Sequence, residues 1–125
     1  MVQYKNGIVI NGTIYLNGKR RHLRGLSDEI IYAFKLADEI SQKEFGIEIV
    51  ITSAGGEVHM NTSCHYGRDR GNGFFIDAVD IRSNHYTQEQ GDILIKKLRE
   101  KLSPDYQIKD ERSTKVHIHI QFNPR

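Results

Sequence analysis

The sequence predicts one α+β domain: a small, mainly antiparallel sheet with two helices packed on it, preceded by an N-terminal β-hairpin or meander. Three observations carry this. Asn-Gly occurs three times in the first eighteen residues. Two later stretches repeat apolar residues at helical spacing behind good N-caps, and short β-branched runs lie around them. At 125 residues and 14.4 kDa, the chain fits a single domain of ~100–150 residues. It divides into a β-rich element over residues 1–25 and a core over 26–125.

The elements follow in order. Asn6-Gly7, Asn11-Gly12 and Asn17-Gly18 flank Gly7–Ile10 and Thr13–Leu16, and Asn-Gly favours the positive backbone dihedrals of tight hairpin turns. Ser27 is a natural N-cap, followed by Asp28 and Glu29 at the positive end of a helix dipole. Leu26, Ile30, Phe34, Ala37 and Ile40 then mark one face of a helix from Ser27 to about Glu44, stopped by Gly46. Ile47–Ser53 reads as a strand ended by Ala54-Gly55-Gly56, and a polar segment runs to Gly73. Phe74–Ile81 is the next strand. Thr87 with Gln90 forms a capping box for a helix whose stripe is Leu94, Leu98 and Leu102, ended by Ser103-Pro104. Strands over Tyr106–Lys109 and Lys115–Phe122 complete the chain, the last alternating His117, His119 and Gln121 against Val116, Ile118 and Ile120.

Composition excludes several classes. No apolar run approaches the ~20 residues that span a bilayer, so no membrane span is expected. The opening residues Met-Val-Gln-Tyr-Lys-Asn-Gly lack a basic region followed by an apolar stretch, which predicts cytoplasmic synthesis without a signal peptide. A net charge of +2 is too small to argue for nucleic acid. The clusters Lys19, Arg20, Arg21 and Arg24, and Arg68 with Arg70, read as solvated surface turns. Cys64 is the single cysteine, so any metal must be held by histidine and carboxylate.

The chemistry concentrates in histidine. His117 and His119 project from one face of a strand with Cβ atoms ~6–7 Å apart, close enough to serve one small site. Asp80, near the end of the Phe74–Ile81 strand, is the natural carboxylate to join them. Two histidines, one carboxylate and a water around zinc form a catalytic rather than a structural arrangement, because one position stays open. The plain alternative is that His-X-His is the polar face of an exposed sheet. His59 and His85 read as solvated loop histidines, and Cys64 as a small buried residue.

The residues Ile51–Ser53, Ser63-Cys64-His65-Tyr66, Ala78–Arg82 and His117–Pro124 occur in an order that resembles the zinc D-alanyl-D-alanine carboxypeptidase and L-alanyl-D-glutamate endopeptidase family, in particular its short phage-type members. The resemblance covers about Ile47 to Pro124. It implies Zn²⁺ held by His65, Asp80 and His119, with His117 beside the reacting carbonyl. Ser63 would orient a ligand and Arg82 would pair with a substrate carboxylate.

Three departures from the family pattern stand out. The stretch between His65 and Asp80 is longer, so Gly67 to about Phe75 reads as an inserted Gly-rich loop bulging outward. Ile76 replaces a family glycine. Val116 occupies the position, three before the last ligand, where the family often has an acidic general base. His117 is then the first candidate for proton transfer because its place depends on strand spacing alone, and Glu111, in the turn before the last strand, is the second.

The expectation is a zinc peptidase that hydrolyses stem peptides of peptidoglycan in cell-wall lysis or remodelling, reaching the wall by phage-type release or as a virion component. A monomer suffices for this. The rival is a zinc-containing peptidoglycan-binding module or structural protein without turnover, favoured by Val116. A nucleic-acid-binding protein is weaker still, for lack of aromatic residues among the basic clusters.

Overall fold

The computed structural model describes residues 2–4, 7–10, 13–16, 19–53, 68–69 and 74–123, and the side chains of residues 2, 26–52 and 77–123. In chain order the elements are β1 (Gln3–Tyr4), β2 (Gly7–Ile10), β3 (Thr13–Leu16), β4 (Lys19–Leu26), α1 (Asp28–Phe45), β5 (Val50–Ser53), β6 (Arg68–Asp69), β7 (Phe74–Ile76), β8 (Ala78–Arg82), α2 (Gln88–Lys101), β9 (Tyr106–Glu111) and β10 (His117–Phe122). The class is α+β, as the sequence predicts.

Both helices start where the caps require. The Ser27 hydroxyl accepts from the Ile30 N–H at 3.2 Å. Gly46, at φ 68°, closes α1 in the left-handed region that favours glycine, its N–H donating to Gln42 O. At α2 the capping box is complete: Gln90 N–H donates to Thr87 Oγ1 at 3.1 Å, and Thr87 N–H to Gln90 Oε1 at 2.9 Å.

The main sheet has the order β1-β5-β8-β10-β9. Strands β5, β8, β10 and β9 each run antiparallel to the next, and β1 joins the edge in parallel. One face of this sheet is apolar. Val79, Ile81, Ile108, Ile118 and Ile120 are buried there with Ile30, Phe34, Ala37 and Ile40 of α1 and Leu94, Ile95 and Leu98 of α2 in a single core cluster. Burying side chains of this size contributes ~1.5–3 kcal/mol each. The other face carries the polar partners of the same strands, among them Asp80, Glu111, His117 and His119, and its register places His119 opposite both Asp80 and Lys109. A second sheet, β2-β3-β4-β7-β6, contains the two N-terminal strands of the expected hairpin, paired from Gly7↔Leu16 to Ile10↔Thr13.

The structure departs from the sequence expectation in several places. The single strand expected over Phe74–Ile81 is two, β7 and β8, which lie in different sheets. Residues 19–26 form a strand rather than a turn, pairing with β3 and, at Gly25 and Leu26, with β7. Arg68 and Asp69 pair antiparallel with Phe75 and Phe74, so part of the expected outward loop is a β-ladder. The strand expected from Ile47 begins only at Val50 because the residues before it are bound to α1: Ile49 N–H donates to Asp38 Oδ1 at 3.0 Å, and Ser41 Oγ to Ile47 O at 2.6 Å. The last strand begins at His117 rather than Lys115. There Lys115 N–H turns back to Glu111 O at 2.9 Å, and Val116 sits at φ 58°, which a strand cannot accommodate. Among the described residues, no helix is long and apolar enough to cross a membrane.

Candidate metal centre

The polar face of the main sheet brings two hydrogen-bonded pairs together. The inner pair is Asp80 and His119, cross-strand neighbours on β8 and β10 and both buried. His119 Nδ1–H donates to Asp80 Oδ1 at 2.8 Å. Its other nitrogen, Nε2, donates to Gln121 Oε1 at 3.0 Å, and Gln121 Nε2 donates onward to Asn123 Oδ1 at 2.6 Å. With both nitrogens donating, the ring carries a proton on each. Burial, the largest single influence on this ring, disfavours its charge. The hydrogen bonds to Asp80 and Gln121 and the charges of Asp80 and Glu111 together outweigh it, and the pKa of His119 is raised above 6.5.

The outer pair is Glu111 and His117, cross-strand neighbours on β9 and β10 and only half-buried. His117 Nε2–H donates to Glu111 Oε1 at 2.9 Å and lies 3.6 Å from Asp80 Oδ1. Lys115 Nζ stands 3.7 Å from the second Glu111 oxygen. Asp80 therefore touches both pairs. Its backbone is also held from β5, where Thr52 Oγ1 donates to Asp80 O at 3.3 Å.

Asp80, Glu111 and His117 each offer a ligand atom within 4.8 Å of the others, so the group could hold a metal ion. Four of the residues read from the sequence, Asp80, Glu111, His117 and His119, thus share one site. Arg82 pairs with His117 in the β8–β10 register. His65 and Ser63 lie outside the described residues.

Two features escaped the sequence reading. Gln121 shares a face with His119 by strand parity, the only signal for the chain His119–Gln121–Asn123. Arg112 gave no signal at all. It reaches back to α2 through contacts that depend on how the helix packs.

Fold and site together define an α+β chain with a carboxylate–histidine centre on the polar face of its sheet. Compared with protein-family models, curated proteins and solved structures, the chain matches none of them significantly.

Proposed function

We propose that this chain is a zinc-dependent peptidase acting on the stem peptides of peptidoglycan. The observation that supports this best is the meeting of Asp80 with both histidines and Glu111 on one sheet face, which puts two of the three ligands that the resemblance implies, Asp80 and His119, side by side. In this reading Asp80 holds the ion together with His65 and His119, the His119 ring first giving up one of its two protons as a ligand imidazole must, and the half-buried pair, Glu111 and His117, handles protons. Burial suits ligands, which must keep one geometry, and partial exposure suits groups that exchange protons with solvent and substrate. A bound zinc ion would supply a Lewis acid for the scissile carbonyl.

Glu111 takes the place in this scheme that Val116 leaves vacant. Its carboxylate accepts a proton from the attacking water and passes it to the leaving amine, and His117, hydrogen-bonded to it, orients that carboxylate and stabilises negative charge that develops nearby. Arg82, the register partner of His117, offers a cation to a substrate carboxylate.

The test is zinc content and release of new amines from purified peptidoglycan, measured on one preparation. The proposal expects about one zinc per chain and hydrolysis that stops on chelation. Full zinc with no amine release from peptidoglycan of several cross-link types would instead identify a zinc-containing binding module. Ligand roles separate by variant: His119→Ala is expected to lose zinc, and His117→Ala to keep it while kcat falls ~10²–10⁴-fold. Loss of zinc in His117→Ala would exchange the two histidines.

A further inference from the structure

Glu111 is the last residue of β9, next to a five-residue connection, yet its carboxylate has to meet His117 at hydrogen-bond distance. A residue at the end of a hairpin needs something to hold it there. The two residues flanking it, Asp110 and Arg112, point to the opposite side of the strand, toward α2, and are joined to each other and to the helix. Arg112 Nε donates to Asp110 Oδ1 and Nη2 to Asp110 Oδ2, both at 2.7 Å, a two-pronged carboxylate contact. Nη2 also donates to Asp92 Oδ1 at 2.5 Å, and Nη1 to the Gln88 carbonyl at 3.1 Å. The Arg112 backbone N–H closes the group on Asp110 Oδ1 at 3.2 Å.

The guanidinium is nearly enclosed, its side chain 12% exposed, and it lies against Gly91, in space that a Cβ there would occupy. A Cβ at Gly91 would collide with Arg112 Nη1. A lysine could not reproduce the arrangement, since one ammonium cannot span Asp110, Asp92 and the Gln88 carbonyl with a rigid planar fork.

We propose that Arg112, seated on Gly91, is a positioning residue that holds the Glu111 carboxylate against His117 by clamping the end of β9 to the first turns of α2. Its consequence for catalysis rests on the reading of Glu111 and His117 as the proton-handling pair; its geometry does not.

The test has two arms on the full chain. In the first, ¹⁵N-histidine-labelled, metal-free protein is examined by long-range ¹H–¹⁵N correlation at one pH. Glu111→Gln marks where the His117 ring resonances move when the pair is weakened. Arg112→Gln and Gly91→Ala, the latter changing no charge, are expected to move them the same way, with Arg112→Lys in between. Ile95→Val, a mild core change on the same helix, is expected to leave them in place. Asp92→Asn removes one exposed contact of the clamp and supplies the readout should the stronger variants fail to fold. In the second arm, on the zinc-loaded enzyme with a soluble stem peptide, Arg112→Gln is expected to lower kcat ~10–10²-fold at unchanged KM, as for a misplaced catalytic group. It should have no further effect in a Glu111→Gln background.

Folded Arg112 and Asp92 variants whose His117 resonances stay at wild-type positions would overturn the inference, as would additive losses with Glu111→Gln. If wild-type protein cleaves no peptide, the peptidase reading fails, and the resonance arm still decides whether Arg112 positions the pair.

Discussion

Replacing Asp80 with Asn tests the centre most directly, because among the described residues Asp80 is the side chain in contact with both histidines. The substitution keeps size and one acceptor oxygen but removes a buried charge that accepts from His119 Nδ1 at 2.8 Å. Hydrogen bonds to charged groups contribute ~1.5–3 kcal/mol, and since Asn retains the acceptor the expected loss in metal-free protein is ~2 kcal/mol. For a chain of 125 residues, each kcal/mol moves Tm by ~3–5 °C, so the metal-free variant should melt ~6–10 °C below wild type. Zinc at a hundred times its Kd adds ~2.7 kcal/mol to a protein that binds it only when folded, a further rise of ~8–13 °C that the variant should lack. The sign with pH also follows. Burial opposes charge on His119, but the hydrogen bonds to Asp80 and Gln121 raise its pKa above 6.5. The contribution of a raised histidine is complete below pH 6.5 and is lost as the pH climbs through the folded value. The metal-free Tm difference between wild type and Asp80→Asn should therefore be larger at pH 6 than at pH 9. Thermal melts by circular dichroism, with chelator and with zinc, give all three numbers. A variant that melts with wild type in chelator and still responds to zinc would refute the assignment of Asp80 to the centre.

Three further outcomes are expected. Val116, exposed and at φ 58°, holds a β-branched side chain in left-handed backbone at a cost of ~1–2 kcal/mol; Val116→Asn should raise the Tm by ~2–5 °C, and a fall would show that the side chain packs usefully. Thr87→Ala breaks the capping box of α2 and should cost ~1 kcal/mol by denaturant melts. Burial, aided by the charge of Arg82 and opposed by the Glu48 backbone, lowers the pKa of His85. Its contribution is present above pH 6.5 and lost as the pH falls through the lowered value, so the Tm advantage of wild type over His85→Gln should shrink between pH 7 and pH 5, and a constant difference would contradict it.

Wherever a feature depends on neighbours in sequence, it was legible without coordinates. The serine and threonine caps, the helical stripes of α1 and α2, and the parity that puts His117, His119 and Gln121 on one strand face all need no more than spacing and stereochemistry. The boundaries that shifted did so for long-range reasons. Val50 begins its strand late because Asp38, eleven residues from Ile49, takes the Ile49 N–H at 3.0 Å. Residues 19–26 read as a basic turn from charge, yet their backbone pairs with β3 and β7, and strand pairing is not written in local composition.

At the centre the division is sharper. The sequence by itself singled out Asp80, His117, His119 and Glu111 as chemically interesting, through residue type, strand alternation and resemblance. It could not say which carboxylate pairs with which histidine. The β8–β10–β9 register decided that, setting Asp80 across from His119 and Glu111 across from His117. A register is a relation between strands far apart in the chain, and a slip by one residue would turn every one of these side chains to the other face. Tertiary packing alone also set the Arg112 clamp, because its guanidinium lies against a glycine twenty-one residues earlier on a helix that must first dock on the sheet.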